Sequence, residues 1–376
     1  MKIRIERDVL ADAATWVVKS LPARPAVPIL GGVMIEASED GLVTISGFDY
    51  ETSAQVHMDA VVITGGRALV SGRLLADITK ALPGKPVDVV ADGPRLAIAC
   101  GASKFSLPTM PAEEYPQLPG LPALAGTVTA DVFAAAVASV GVAAGKDDTL
   151  PMLTGVRLEV EGATLTFAAT DRFRLAVRDL DWKPADGVGD SAVLIPARAL
   201  QEAAKQLGNS GTVSLFMDAT AGMIGFSGGG RQATTRLLDA EFPRFRQLIP
   251  AEHTATSVVD VHELVGAVKR VALVADRVAQ IRMAFGDDGL TLSAGGDDIG
   301  SAEETVPATL DGDPLTIAFN PGYLLDSLAA MDAEHCRFTF VNPNRPTLLR
   351  PERAPREGDD GEAGEFLHLL MPVRLT

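Results

Sequence analysis

The chain has 376 residues, of which 47% are apolar, and its formal net charge is −16. This length predicts two or three domains, and the acidic charge argues against a basic nucleic-acid-binding surface over the whole chain. Two cysteines are too few for a disulfide framework, which fits a reducing cytoplasm. No apolar run is long enough for a membrane span, and the first residues lack the apolar core of a signal peptide, so we expect no membrane association.

A unit of about 125 residues occurs three times along the chain. Each copy opens with a predicted helix, continues with two alternating strands around a glycine turn, and places an aspartate after the second strand, at Asp49, Asp171 and Asp297. The stretch "PILGGVMIE" at 28–36 shares Pro, Leu, Gly, Val and Glu at the same offsets with "PMLTGVRLE" at 151–159. The chain is therefore predicted to repeat one domain.

A second helix follows a short apolar strand and a turn in each copy, with apolar residues at helical spacing. Together with the opening helices, this predicts six helices, at 7–24, 73–80, 131–146, 198–207, 260–277 and 321–331. Stretches rich in proline, glycine and alanine separate the copies and predict three domains, at 1–122, 123–252 and 253–376. Runs of strands with two intervening helices predict an α+β fold, in which the two helices of each domain pack on antiparallel sheets.

Residues 225–229, "GFSGG", match the G-x-S-x-G pattern of a nucleophilic serine, but the residues that follow alternate like a strand. We therefore interpret them as a hairpin turn, and an esterase that uses Ser227 with one of the five histidines stays open as an alternative. Those histidines are scattered without metal-ligand spacing, and the glycine patterns of phosphate-binding and dinucleotide-binding loops are absent from the sequence. The sequence predicts no catalytic residue, no metal and no cofactor.

Five longer motifs carry a resemblance to a known family: "FSLPTMPAEEYPQLP" (105–119), "ATDRFRLAV" (169–177), "LLDAEFPRFRQLIP" (237–250), "IAFNPGYLLDSL" (317–328) and "LLMPVRL" (369–375). In this order and spacing they resemble the bacterial DNA sliding clamps, the β subunits of DNA polymerase III, over essentially the whole chain. The resemblance implies three repeated DNA-clamp domains per chain and a homodimeric ring of two chains joined head to tail. Its twelve helices would line a hole for duplex DNA, held without sequence specificity, and the protein would be cytoplasmic and nucleoid-associated.

The charge distribution fits such a ring. The six predicted helices carry a net charge of +2, which leaves −18 for the rest of a chain whose total is −16. With the resemblance, we expect DNA-facing roles for Arg24, Arg73, Lys80, Arg198 and Lys205. Without it, Arg73 with Asp77 and Arg198 with Glu202 would simply be ion pairs on the surface of a helix.

The resemblance also implies a peptide-binding groove between the second and third domains, where partner proteins dock an apolar motif. The residues that match this groove are Leu153, Thr170, Phe173, Arg174, Leu175, Pro243, Gln247, Leu248, Asn344, Pro346, Leu369, Met371, Pro372, Val373 and Arg374. Apolar walls with a few polar edges suit a linear motif. The implied partners are the DNA polymerase III α subunit, the clamp loader and other proteins with clamp-binding motifs.

Three sites depart from the family pattern. Val278-Ala279-Gln280 stands where a proline-containing turn is expected, Gln247 is often basic in the family, and Pro346 is often a small polar residue. These departures leave open a divergent extra copy of the clamp that confers tolerance to a pocket-directed inhibitor, and a protein scaffold that never closes into a ring is a further alternative. For the ring contact we expect edge strands near 104–107 and 264–273.

Overall fold

A computed structural model describes the chain at residues 1–20, 25, 27–275, 280–296, 300–352 and 366–374. In this part the chain forms six α-helices: α1 (Arg7–Ser20), α2 (Gly72–Ala81), α3 (Ala130–Gly141), α4 (Ala197–Leu207), α5 (Val261–Val271) and α6 (Pro321–Ala329). Each of these helices is too short or too polar to cross a bilayer.

Each third of the chain contributes nine strands. The first third forms β1 (Lys2–Ile5), β2 (Gly32–Ala37), β3 (Leu42–Phe48), β4 (Thr52–Asp59), β5 (Val61–Thr64), β6 (Gly66–Ser71), β7 (Val87–Asp92), β8 (Arg95–Cys100) and β9 (Ser103–Met110). The second forms β10 (Leu124–Thr129), β11 (Gly155–Glu161), β12 (Thr164–Thr170), β13 (Arg174–Asp181), β14 (Lys183–Pro184), β15 (Ser191–Pro196), β16 (Thr212–Asp218), β17 (Met223–Gly228) and β18 (Arg231–Arg236). The third forms β19 (Ala255–Asp260), β20 (Ile281–Gly286), β21 (Gly289–Gly296), β22 (Gly300–Val306), β23 (Ala308–Asp311), β24 (Leu315–Phe319), β25 (His335–Phe340), β26 (Thr347–Glu352) and β27 (Phe366–Leu370).

The same order of elements occurs three times: one strand, a helix, five strands, a second helix and three strands. This order confirms the threefold repeat and the α+β fold that the sequence predicts. In each repeat, strands one, five, seven, eight and nine form one antiparallel half-sheet, and strands two, three, four and six form another.

The residues separate into two compact units, which cut across the second repeat. Unit 1 comprises Met1–Ala134, Trp182–Val188 and Arg198–Leu237. It contains a fourteen-stranded sheet in the order β14-β10-β16-β17-β18-β4-β3-β2-β6-β9-β8-β7-β1-β5. Unit 2 comprises Ala135–Asp181, Gly189–Ala197 and Leu238–Thr376. It contains a nine-stranded sheet, β15-β11-β12-β13-β27-β26-β25-β19-β23, and a four-stranded sheet, β22-β21-β20-β24.

Strand pairing between successive repeats explains why the units do not follow the repeats. In unit 1, β18 of the second repeat pairs antiparallel with β4 of the first, from Arg231 opposite Val56 to Thr235 opposite Thr52. In unit 2, β27 of the third repeat pairs in the same way with β13 of the second. Both junctions therefore join the ninth strand of one repeat to the fourth strand of the repeat before it.

The ends of α3, α5 and α6 and one predicted strand differ from the sequence-based prediction. Helix α1 is described to Ser20, and residues 21–24 lie outside the described part of the chain. Helix α3 ends at Gly141 and not at 146, because the chain then turns and the Gly145 N–H bonds the Leu153 carbonyl oxygen at 2.7 Å.

The expected edge strand at 264–273 is wrong, because these residues belong to α5 and to the 3₁₀ turn that follows it. The Asp260 carboxylate caps α5 by accepting the Glu263 N–H at 2.8 Å. Leu264, Ala267 and Val268 are buried, and this spacing of three and four residues is that of a helix with one face in the core.

His368 lies in the core of unit 2. It is fully buried on β27, opposite Ala176 across the β13–β27 pair, and its ring lies edge-on to Phe366 at 6.3 Å. Neither ring nitrogen has a hydrogen-bond partner among the described residues. Burial, and secondarily the positive charge of Arg174, lowers the pKa of His368 to about 3.

We predict that His368 makes the protein less stable as the pH falls from about 6.5 towards 3. In this range the unfolded chain binds a proton at His368 while the folded chain does not, so stability is lost at up to roughly 1.4 kcal/mol per pH unit. His368→Leu should flatten the pH dependence of denaturant unfolding between pH 6.5 and 4.5. The control His253→Gln replaces an exposed side chain and should keep the wild-type slope. An unchanged slope in His368→Leu would contradict this assignment.

Candidate functional site

The predicted DNA-facing residues lie on the exposed faces of two helices of unit 1. Arg73 and Lys80 are exposed on α2, and Arg198 and Lys205 are exposed on α4, whereas Arg24 lies outside the described residues. None of the four described cations is in an ion pair with a described residue, so the intrahelical pairs with Asp77 and Glu202 do not form. The exposed faces of α2 and α4 thus present unneutralised positive charge.

The positive charge of the helices is smaller than the sequence predicts. Counted over the observed boundaries, the six helices carry +1, which leaves −17 for the rest of a chain whose total is −16. The reduction arises because Lys146 follows the end of α3 and Arg24 lies outside the described residues, which is partly offset because Asp260 precedes α5. So few cations suit a loose attraction to a polyanion better than tight, strongly salt-dependent binding, because the salt dependence grows with the number of phosphates neutralised.

Ser227 lies in a hairpin and not in a nucleophile elbow. It belongs to β17, opposite Ser214 of β16 and Gln232 of β18. Gly229 and Gly230 form the turn, and β18 follows directly where an elbow needs a helix. The hairpin interpretation is confirmed. The described residues also contain no group of three His, Cys, Asp or Glu side chains that could hold a metal ion.

A tight turn leads into β13 in unit 2. Asp171 Oδ1 accepts the N–H groups of Phe173 at 3.0 Å and Arg174 at 3.1 Å, and Arg172 between them has φ of 79°. An aspartate that bonds the backbone two and three residues ahead stabilises this left-handed conformation. The same turn precedes β4 in unit 1, where Asp49 Oδ1 accepts from Glu51 and Thr52.

Arg174 is the buried centre of an ionic network. Its Nε donates to Asp171 Oδ2 at 3.0 Å, and its Nη1 donates to Asp326 Oδ2 at 2.6 Å. Its guanidinium lies 4.5 Å from the ring centroid of Tyr323, and this ring stacks on Phe173 at 6.0 Å. Two carboxylates and an aromatic face thus compensate the burial of the charge.

Sequence reasoning missed Tyr323 and Asp326, which both lie on α6. The Asn320 side chain caps this helix by accepting the N–H groups of Gly322 and Tyr323. Tyr323 and Asp326 are three residues apart and therefore share one helix face. The spacing of these two residues is visible in the sequence. Their contact with Arg174 of β13 is a tertiary contact, which no local pattern reveals.

A cleft of about 520 Å³ lies beside the Arg174 network. Leu153, Phe173 and Arg174 of the predicted groove line it, together with Tyr323 and the basic side chains of Lys146 and Arg172. The cleft combines apolar walls with charged edges, as expected for a site that takes a linear peptide.

The remaining predicted groove residues occupy several positions in unit 2. Thr170, Leu175 and Leu369 are buried beneath the surface, and Leu175 faces Leu369 across the β13–β27 pair. Pro243 and Gln247 line a second cleft of about 350 Å³. Asn344, Pro346, Pro372, Val373 and Arg374 line neither cleft.

Exposed apolar side chains mark one part of this region. Among the described residues of unit 2, the exposed large apolar side chains are Phe173, Leu248, Leu273 and Met371. Three of these four belong to the predicted groove. The Met371 N–H bonds the Phe173 carbonyl oxygen at 2.8 Å, which holds these two residues side by side.

Three repeats of two helices and two antiparallel half-sheets, joined through paired edge strands, define a DNA-clamp fold. Three family profiles match the chain: the N-terminal domain of the DNA polymerase III beta subunit at residues 1–119, its central domain at 127–244 and its C-terminal domain at 246–357. The chain belongs to the DNA polymerase III β subunit family, the bacterial sliding clamps, and its function is that of a sliding clamp in DNA replication.

Curated relatives agree with this assignment. The chain is 48% identical over 380 residues to a Beta sliding clamp of Streptomyces coelicolor, with 100% of both chains covered. It is 50% identical over 311 residues to a Beta sliding clamp of Micrococcus luteus, covering 83% of this chain and 100% of the relative. It is also 41% identical over 374 residues to the Beta sliding clamp homolog GriR of Streptomyces muensis, covering 100% and 99%.

Solved structures share the fold over the full length. The DNA polymerase sliding clamp of Bacillus subtilis is 27% identical with a TM-score of 0.90, and 100% of both chains is covered. A sliding clamp of Pseudomonas aeruginosa, solved bound to griselimycin, is 26% identical with a TM-score of 0.90 and the same coverage.

We predict that Asp171 contributes more to stability than its counterpart Asp49. Both side chains hold the same turn, but only Asp171 also pairs with a buried arginine. Asp171→Ala should lower the free energy of unfolding by about 1–3 kcal/mol more than Asp49→Ala, because Arg174 loses one of its two carboxylates. Denaturant unfolding of both variants measures the difference, and equal losses would contradict the proposed role of the Arg174 network.

Proposed function

We propose that this chain is the non-enzymatic processivity factor of replication, which closes head to tail with a second copy around duplex DNA. A peptide groove in unit 2 then tethers the DNA polymerase III α subunit, the clamp loader and other proteins with clamp-binding motifs. The protein would work in the cytoplasm, on the nucleoid. In this proposal the three clamp domains are 1–122, 123–252 and 253–376.

The internal junctions support closure with a second copy. Each junction pairs the ninth strand of a repeat with the fourth strand of the preceding repeat. Two strands of these types are left, β9 and β22. Residues 104–107 of β9 pair with β8 alone, and β22 is an edge of the four-stranded sheet. Exposed edge strands favour pairing with another chain, so β9 of one copy would pair with β22 of the next.

Charge and exposure at these two edges support the same contact. Gln232 lies opposite Gln55 in the β18–β4 junction, and carrying this register over puts Lys104 opposite Glu303. Both side chains are exposed, and neither is in an ion pair with a described residue. Phe105 of β9 is exposed, as is Leu273 after α5, whose exposed fraction is 82%. Such apolar side chains would be covered in a dimer.

DNA contact is proposed for Arg73, Lys80, Arg198 and Lys205 on the exposed faces of α2 and α4. A ring retains DNA by surrounding it, so a few unpaired cations are enough to centre the duplex. An acidic remainder of the chain would repel DNA from the outer surface.

The peptide groove is proposed around Phe173, Leu248 and Met371. The observation that carries it is that three of the four exposed large apolar side chains described in unit 2 are these residues. Leu153, Leu175 and Leu369 of the predicted groove are buried. An apolar surface of this kind suits the apolar end of a linear motif, and Pro243 and Gln247 would form its rim.

A divergent extra copy that confers tolerance to a pocket-directed inhibitor is the second candidate. Its support is the 41% identity to the homolog GriR, which is weaker than the 48% identity to a relative named Beta sliding clamp over a similar length. A replicative clamp is therefore the principal proposal.

We predict that exchanging the charges of Lys104 and Glu303 separates and then restores the dimer. Lys104→Glu or Glu303→Lys alone places like charges opposite each other and should weaken dimerisation about 3- to 10-fold. The double variant should return to the wild-type affinity. Sedimentation distinguishes the dimer, near twice 39.3 kDa, from the monomer. Lys85→Glu is a control, because it reverses an exposed charge outside β9. A double variant no better than the singles would contradict this pairing.

We predict that a charge at Met371 weakens peptide binding. Met371→Glu replaces an apolar side chain that is 38% exposed. It should lower the affinity for a labelled peptide that ends in Leu-Phe at least tenfold, as measured by fluorescence anisotropy. Leu42→Glu is the matched control, since Leu42 is 37% exposed but lies in unit 1. The groove is contradicted if the two variants bind the peptide equally well.

A further inference from the structure

The second cleft of unit 2 has a chemistry that the apolar groove does not use. It has a volume of about 350 Å³ and lies along the segment 241–247, with Arg157 and Glu159 of β11 on its other side. Pro243 and Gln247, which belong to the proposed groove, also line this cleft. The two sites would therefore share one wall.

A single buried carboxylate holds two arginines in this cleft. Glu159 accepts the Nε of Arg157 at 2.5 Å and the Nη1 of Arg246. The Arg246 guanidinium also lies 4.8 Å from the ring centroid of Phe245. Burial acts to raise the pKa of Glu159, but the hydrogen bonds from Arg157 and Arg246 outweigh it and lower the pKa below its usual value. Glu159 is thus ionised and shares its negative charge between Arg157 and Arg246, and Arg246 Nη2 also lies 3.7 Å from Glu161 Oε1.

A third arginine adds to the positive charge. Arg244 is exposed, lines the same cleft and is in no ion pair with a described residue. With Glu241 included, the cleft holds three guanidinium groups and two carboxylates. Arg157 engages Glu159 through Nε, so its two terminal nitrogens are free of that bond and, with Arg244, can donate to a further anion.

We propose that this cleft binds an aspartate or glutamate side chain in the segment that flanks the apolar residues of a partner peptide. The inference rests on the proposed peptide-binding function, because the shared wall at Pro243 and Gln247 is what brings the flanking segment to the cleft. Arg244 is the specificity-determining residue, since its guanidinium has no competing carboxylate.

The charges of the cleft favour a single carboxylate over nucleic acid. Glu159 lies inside the cleft and Glu241 also lines it, so a run of phosphates would meet two negative charges. One carboxylate can be held by Arg244 and the terminal nitrogens of Arg157 while Glu159 keeps its own bonds. The cleft would thereby rank partners by the acidity of the flank, independently of their apolar ends.

Two matched peptides test the proposal on the full-length protein. Both have about ten residues and end in Leu-Phe, and the segment before this end carries either glutamates or glutamines. Affinities for the wild type, Arg244→Ala and Arg282→Ala are measured by fluorescence anisotropy at two salt concentrations. Arg282→Ala is the control, because it removes an exposed arginine from β20 of the four-stranded sheet.

We expect the wild type to bind the glutamate peptide about 3- to 10-fold more tightly than the glutamine peptide. Arg244→Ala should remove this preference and its salt dependence, and it should leave the affinity for the glutamine peptide unchanged. Arg282→Ala should keep the wild-type preference and its salt dependence. Equal affinity of the wild type for both peptides would overturn the acidic subsite but leave the groove standing. Failure of both peptides to bind would overturn the groove as well.

A single-stranded oligonucleotide is the third probe. If Arg244→Ala lowers the affinity for the oligonucleotide and leaves the affinities for both peptides unchanged, the cleft is a nucleic-acid contact and the proposal is wrong. If the substitution leaves binding of the oligonucleotide unchanged and lowers the affinity for the glutamate peptide, the acidic subsite is supported.

Discussion

Pairing of edge strands between repeats is the constraint on which the rest of the structure depends. A clamp domain with open half-sheets leaves backbone N–H and C=O groups unpaired at its edges, and such edges recruit other strands. Within one chain, the β18–β4 and β13–β27 pairs satisfy two junctions, and they do so with the same two strand types. The proposed third pair, β9 with β22, would come from a second copy. In this proposal, closure of the ring extends the rule that orders the strands inside each unit.

The same repeat accounts for where a binding site can develop. The aspartate turn before the fourth strand is present at Asp49 and at Asp171 with the same backbone hydrogen bonds. In the first repeat the strand then begins with Thr52, so the turn has only a structural role. In the second it begins with Arg174, whose charge is compensated by Asp171 and Asp326 beside an exposed Phe173. The residues that follow the aspartate in this repeated turn therefore distinguish a structural element from a site.

Local pattern was sufficient for the parts of the fold that depend on local sequence. All six helices occur where apolar spacing predicts them, and the hairpin at Ser227 follows from its alternating flank. Helix ends were less predictable. After α3 ends at Gly141, the Gly145 N–H bonds the Leu153 carbonyl oxygen eight residues further along the chain, a contact that periodicity does not encode. The strand expected at 264–273 is wrong because this stretch lies in α5 and in the 3₁₀ turn after it, which agrees with the helix predicted at 260–277.

Contacts between distant segments could not be predicted from local sequence patterns. Asp326 meets Arg174 across 152 positions of sequence, and Arg246 meets Glu159 across 87. Neither pair has a local signature, since each residue taken alone is an ordinary charged side chain on a helix or strand. The division into two compact units was also unpredictable, because it is set by strand pairing between repeats and not by the composition of linkers.

Weak positive charge on the helices and strong negative charge elsewhere are consistent with holding DNA by enclosure. The most direct test loads the protein onto nicked circular DNA with a clamp loader, removes free protein, and measures how much stays bound before and after a single cut that linearises the circle. Enclosure predicts stable retention on the circle and rapid loss after the cut. Equal retention on both forms, or equal loss from both, would contradict it.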